Sequence, residues 1–246
     1  RGGVLKIKNV LISQPAPVVA EKSPFNEIVL KHRVHVDFHP FIKLEGVSLK
    51  EFRGQRVDIL EHSAVIFTSR VTIDNFFRIC EEARITIPET MKYFCNTEAI
   101  ALYLQKYIVY RKRKIFFADG TFSSLLELIV KHKDEKFLLT LSEPHKPEMP
   151  MALEKLQLKW DKVILARTVS ADLESVDIEK YDLLVFYSPS EISSLLGRFP
   201  AESVHPKIAV FGNGTARAAV EGGLTVSAMA PTPEAPSMTK ALDIYI

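Results

Sequence analysis

Apolar positions along this chain fall in short runs of four or five, each closed by a polar turn and followed by an amphipathic stretch. The pattern is clearest in KIAVFGNGTARAAVEGG, residues 207–223. The run Ile208–Phe211 meets Gly212-Asn213-Gly214-Thr215. Ala216, Ala218, Ala219 and Val220 then continue in good helix formers until Gly222-Gly223. This reads as a buried strand, a tight turn and a helix that opens at the turn. Such a turn presents free backbone N–H groups at the positive end of a helix dipole, a place for an anion.

The same reading along the chain predicts a first strand at Leu5–Ile12, then a helix capped by Ser23 with Pro24 at its first position, running to Arg33. Val34, Val36 and Phe38 alternate with His35, Asp37 and His39, giving a strand with one wet face. A short helix follows at Ser48–Gln55. Strands are expected at Ala64–Thr68, Lys92–Cys95, Ile115–Phe117, Phe137–Leu141 and Lys162–Val169. The helices between them are expected at Val71–Arg84, Thr97–Lys106, Thr121–His132 and Met151–Leu158. The last third predicts strands Leu183–Tyr187, Lys207–Phe211 and Leu224–Ala228, with helices Ser190–Arg198, Thr215–Glu221 and one starting at Ser237.

Two parts of this pattern match. Val65-Ile66-Phe67-Thr68-Ser69 and Leu184-Val185-Phe186-Tyr187-Ser188 are each a strand, a serine and a helix. Tyr93–Ala99 and Val210–Ala216 follow them at nearly equal spacing, 30 positions (99 − 69) and 28 (216 − 188). That order points to a duplicated α/β unit. Alternating strands and helices imply parallel sheets covered on both faces.

The strands are too many for one sheet, so two doubly wound α/β domains are expected, one inserted in the other and joined by a two-stranded ladder. Residues 1–38 and 169–246 form the first domain and 43–163 the second, with 39–42 and 164–168 as linker strands. Ligands of open α/β sheets bind outside the carboxyl ends of the strands. Two such edges facing one another would make a cleft.

Composition narrows the chemistry. The chain has 246 residues, 47% hydrophobic and 25% charged, as in an ordinary globular protein. No apolar run approaches membrane-spanning length, and no signal-peptide core is visible, so a cytoplasmic protein is expected. Arg1-Gly2-Gly3 reads as a processed or engineered end. A net charge of +2 argues against a general nucleic-acid binder. The densest basic run, Arg111-Lys112-Arg113-Lys114, reads as a solvated turn, with attraction of an acidic partner as the alternative. Cys80 and Cys95 lack metal-ligand or redox spacing and are expected as free buried thiols.

The motifs exclude several activities. There is no P-loop, no full dinucleotide fingerprint and no nucleophile elbow. No His or Cys pair has metal-ligand spacing, and no metal or cofactor is expected. What remains is a set of hydroxyls and backbone donors at strand-to-helix turns: Ser13, Thr68, Ser69, Thr97, Ser123, Ser142, Ser188, Ser190 and Thr215. Most serve as helix caps. Gathered at one cleft, such turns also suit a ligand with several carboxylates.

Six segments carry a family resemblance: VIFTSRVTIDNFF (65–77), KYFCNTEAIALYLQKYI (92–108), RTVSADL (167–173), LLVFYSPSEISSLL (183–196), KIAVFGNGTARAAVEGGL (207–224) and APTPEAPSMTKAL (230–242). In order and spacing they resemble the uroporphyrinogen-III synthases. That resemblance implies a cofactor-free, monomeric, cyclising hydro-lyase acting on hydroxymethylbilane, an open tetrapyrrole with eight carboxylates. Water is lost, and the ring closes with inversion of the last pyrrole. The resemblance assigns substrate carboxylates to Thr68-Ser69, to Ser188-Pro189-Ser190 and to the turn Gly212, Asn213, Gly214 and Thr215. The chain departs from the family pattern in three places. Ala166 stands where a ladder-strand tyrosine is usual, Asn213-Gly214-Thr215 replaces a Gly-Pro-Thr-Thr turn, and Glu191 replaces a glycine. Alanine cannot donate a proton, so Tyr187 is the candidate hydroxyl for catalysis. The alternative is a tetrapyrrole-binding or regulatory module that has lost catalysis.

Overall fold

In this computed structural model, residues 6–246 are described. The reading of Arg1-Gly2-Gly3 and the first residue of the predicted strand Leu5–Ile12 lie outside them. The remaining chain forms two compact units, one running through Lys43 and again from Val169 to Ile246, the other Leu44–Thr168. Each is an α/β unit built on a parallel-dominated sheet.

In chain order the elements are β1 (Asn9–Ile12), α1 (Asn26–His32), β2 (His35–Phe38), β3 (Ile42–Gly46), α2 (Leu49–Gly54), β4 (Ala64–Phe67) and α3 (Arg70–Glu82). Next come β5 (Lys92–Cys95), α4 (Glu98–Tyr103), β6 (Ile115–Phe117), α5 (Phe122–Val130), β7 (Phe137–Glu143), α6 (Glu148–Lys155) and β8 (Trp160–Ser170). The last are β9 (Leu183–Phe186), α7 (Pro189–Arg198), β10 (Lys207–Phe211), α8 (Asn213–Glu221), β11 (Val226–Ala230) and α9 (Met238–Tyr245). The chain leaves the first unit within β3 and returns within β8, and these strands are neighbours in the second sheet.

The central strands are apolar because helices cover both faces. All four residues of β4 and of β9 are buried. The second unit packs one core around Phe67, Phe76, Phe94 and Phe137. The first unit has a separate core on each face of its sheet, one around Ile12 and Val185, the other around Phe41 and Phe186.

The first sheet has the order β11-β10-β9-β1-β2, and the second β3-β8-β7-β4-β5-β6. Apart from the edge strand β3, the two orders are the same. Strand β9 corresponds to β4, β10 to β5, β11 to β6, β1 to β7 and β2 to β8. The first unit is thus a circular permutation of the second, begun at a different strand. The helix entries agree in detail. Ser69 caps α3 at φ −152°, ψ 154°, and Ser188 caps α7 at φ −148°, ψ 155°. Upstream, Asp58 and Asp177 each cap a short 3-10 turn, in Val57-Asp58-Ile59 and Val176-Asp177-Ile178. The offset is constant, since 177 − 58 and 188 − 69 both equal 119.

Several boundaries differ from the sequence reading. Ser23 does not cap a long helix. Its hydroxyl accepts from the Phe25 amide, and α1 starts only at Asn26. The predicted extended stretch through residue 42 is broken, because Phe41 turns in to pack on Phe186 at 5.3 Å between ring centres. The strand read at Leu224–Ala228 is Val226–Ala230, since Leu224 is drawn into the core and its amide bonds the Ala219 carbonyl. Thr215 lies inside α8 rather than at its start, which falls to Gly212.

Candidate functional site

In each unit the strands that run outward in opposite directions part at one point, between β9 and β1 in the first and between β4 and β7 in the second. A crevice outside the carboxyl ends of such a pair is where open α/β sheets take ligands. The hydroxyl turns singled out from the sequence lie along these edges.

In the first unit the crevice holds Ser13, Tyr187, Ser188 and Glu191. Ser188 begins α7, and its hydroxyl accepts from the Glu191 amide at 3.3 Å. Pro189 takes the first helical position, where its missing N–H costs nothing. The Glu191 side chain is almost fully buried, at 4% exposure. Its Oε1 accepts from the Ser13 hydroxyl at 2.5 Å and from the Tyr187 amide at 2.7 Å. Burial pushes this carboxyl above its ordinary value, against the opposing pull of those hydrogen bonds. The protein's own carboxylate therefore occupies donors that an unfilled crevice would offer to a ligand. The signal was in the sequence, because Ser-x-x-Glu at a helix entry is a capping spacing.

Next to this corner is the start of α8. Gly212 has φ +93° and ψ 147°, a conformation open to glycine, and its amide donates to the Ala230 carbonyl at 2.7 Å. No side chain caps this helix. The opening amides of a helix have no partner within it, so Asn213 and Gly214, both exposed, present donors toward solvent. Thr215 is buried at 2% exposure. A Cβ built on Gly214 would lie 3.7 Å from Pro189 Cγ, so the α7 and α8 corners adjoin. The structure thus brings Ser188, Pro189, Ser190 and the Gly212–Thr215 turn together.

Tyr187 stands at the same edge, half-buried, with its ring 6.0 Å from that of Phe211. Burial pushes its phenol well above the ordinary tyrosine range, and the Glu191 carboxyl adds to this. A phenol so raised is a weaker acid than a solvated one.

Thr68 and Ser69 belong to the second unit. Thr68 is exposed, and Ser69 caps α3 by accepting from the Thr72 amide at 3.2 Å. Thr72 stands at the repeat position of Glu191 and returns its hydroxyl to the Ser69 carbonyl at 3.0 Å. Thr140 corresponds to Ser13 through the strand registers and donates to the Ile66 carbonyl at 2.7 Å. This crevice holds no buried acid. Arg70 follows Ser69, exposed, with its guanidinium 5.2 Å from the Tyr103 ring centre. Sequence reasoning quoted Arg70 within a motif and gave it no role. Thr97 caps α4, whereas the equivalent α8 has only Gly212.

Ala166 is fully buried in β8 beside Ser142. A groove of about 1040 Å³ lies elsewhere in the second unit, between Glu51, Asp161 and Arg167. Five carboxylates and four cations line it, a poor balance for a polyacid, and none of the predicted turn residues is among them. Among the described residues no group of His, Cys, Asp and Glu is placed to hold a metal, and no helix is long and apolar enough to cross a membrane.

Comparison with known proteins bears on this arrangement. A family model described as uroporphyrinogen-III synthase HemD matches residues 23–240. Among solved structures, the uroporphyrinogen-III synthetase of Helicobacter pylori is 14% identical with a TM-score of 0.57, over 97% of this chain and 98% of that one. A mutant uroporphyrinogen III synthase of Thermus thermophilus is 17% identical with a TM-score of 0.51, over 96% of each chain. At such identities the likeness is one of fold. No curated protein matches the chain in sequence.

Proposed function

Because this chain belongs to the uroporphyrinogen-III synthase family, a family of tetrapyrrole and heme biosynthesis, we propose that it converts hydroxymethylbilane to uroporphyrinogen III. The observation that carries the proposal, beside the family match, is the uncapped α8 entry at Gly212, with its exposed opening amides at a sheet's carboxyl edge.

In this reading the Gly212–Thr215 turn takes one or more substrate carboxylates through main-chain N–H groups, and Thr68-Ser69 takes others with Arg70 beside them. Ser190 supplies the remaining free amide of the α7 corner. The substrate loses its terminal hydroxyl as water, leaving a delocalised cation. The substituted carbon of the last ring attacks, and the spiro product fragments and recloses with that ring inverted. Uncatalysed closure proceeds without inversion. The protein's task is then to hold one folded conformer, so orientation outweighs acid–base power. Tyr187 is the proposed hydroxyl near the leaving group. The enzyme is read as a cytoplasmic monomer and a cyclising hydro-lyase that needs no cofactor.

The test is to supply hydroxymethylbilane and measure isomer III against the spontaneous isomer I. Excess isomer III is expected. Tyr187→Phe should slow its formation, and an unchanged rate removes Tyr187 from the chemistry. A second reading, a tetrapyrrole-binding module without catalysis, draws support from buried Ala166 and from Glu191 filling the α7 corner. It predicts binding of the linear tetrapyrrole with no change in isomer ratio.

A further inference from the structure

The basic run Arg111-Lys112-Arg113-Lys114 has no part in the site described above. It forms a tight turn, with the Lys114 and Ile115 amides both bonded to the Arg111 carbonyl. The turn leads into β6, at the amino ends of β5 and β6, the end of the second sheet away from Ser69 and Thr97. Arg111, Lys112 and Arg113 are exposed and Lys114 is half-buried. Among the described residues, none of the four pairs with a carboxylate.

Beside this turn is a pocket of about 200 Å³ with walls of Ile87, Met91, Ile108 and Ile115, and Arg111 and Lys114 at its edge. One carboxylate, Glu89, also lines it. Val109, another lining residue, is 72% exposed. Tyr93 lines the pocket too. It is 3% exposed overall, so its ring adds to the apolar wall.

We propose that this is a docking site for an acidic segment of a partner polypeptide, with one large apolar side chain seated in the pocket. Size and charge together select that occupant. Pockets for drug-sized molecules run to about 300–1,000 Å³, so this one suits a single side-chain anchor. A small monocarboxylate needs one cation, whereas four unpaired cations in a row match an extended run of acids. The apolar walls give the anchor what charge alone cannot, since buried anchors carry most of the affinity of such contacts.

The test uses the full chain and a fluorescein-labelled peptide of one phenylalanine between two triads of glutamate, followed by anisotropy. Saturable binding that weakens with salt is expected. An all-glutamate peptide, the Val109→Asp variant and the double variant Arg111→Glu, Arg113→Glu should each bind at least about tenfold more weakly. Circular dichroism and the isomer ratio of all variants should match the parent, so failure here leaves the proposed activity untouched and the reverse also holds. Equal binding of the two peptides overturns the proposal, as does an oligonucleotide of similar charge binding as tightly as the phenylalanine peptide. Either result means that charge alone is read.

Discussion

Replacing Glu191 tests how the α7 corner is held. In Glu191→Ala the Ser13 hydroxyl and the Tyr187 amide both lose their acceptor in a region where Ser13 is only 2% exposed. A buried polar group left without a partner costs about 1–3 kcal/mol, so two of them amount to about 2–6 kcal/mol. Glu191→Gln keeps a carbonyl oxygen for the same donors and should cost about 1 kcal/mol or less. The carboxyl is raised in the folded state, chiefly by burial. Its contribution to stability is therefore fully present below the unfolded-state value and is lost as pH rises through the higher folded value. The Gln variant has no such titration, so the parent's advantage over it should shrink from acid to neutral pH. Urea unfolding at several pH values gives the free energies. Amide hydrogen exchange over Leu183–Leu196 reports on the corner itself. If the Ala variant loses under 1 kcal/mol and the Tyr187 amide stays as protected as in the parent, Glu191 does not hold the turn. A parent–Gln difference independent of pH would refute the electrostatic part.

Three further outcomes follow from the geometry. Gly212→Ala places a Cβ where the nearest atom, Thr215 Oγ1, is 3.9 Å away, so the strained backbone at φ +93° accounts for the whole cost of about 1–3 kcal/mol, read from urea unfolding. Ser69→Ala and Ser188→Ala each remove one N-cap bond and should each cost about 1 kcal/mol of stability, similar in the two units because the caps are alike. Burial pushes the Cys80 and Cys95 thiols up to about 12, so iodoacetamide at neutral pH should label neither in the folded chain and both in denaturant, as mass spectrometry would record.

The strands and most helix entries were legible because burial on both faces leaves plain apolar runs and because Ser69, Ser188, Thr97 and Ser237 are side-chain caps. The repeat was legible only in part. Its upstream half, with Asp58 and Asp177, lies in 3-10 turns that hydrophobic periodicity does not register. The permuted order of the first unit needs strand neighbours, which no single sequence displays. At the site, the turn donors were visible as residue types, but their state was not. Whether Ser13 is free or engaged depends on Glu191, 178 positions away. The Ser23 cap failed because its hydroxyl serves a local turn at Phe25 instead of the helix.

The permuted order has a consequence for where the peptide could begin and end. In the sequence of strands that the two sheets share, α9 is the element that should lead into β1. Lys31 and His32 of α1 hold Asp243 of α9, each at 2.8 Å, and Ile7 and Ile246 pack on one core. A tether from Ile246 to the residues before β1 would close the first lobe into a loop that can be reopened at the lodging point of its twin. The gene could then be cut into two uninterrupted lobes, each expressed and studied alone.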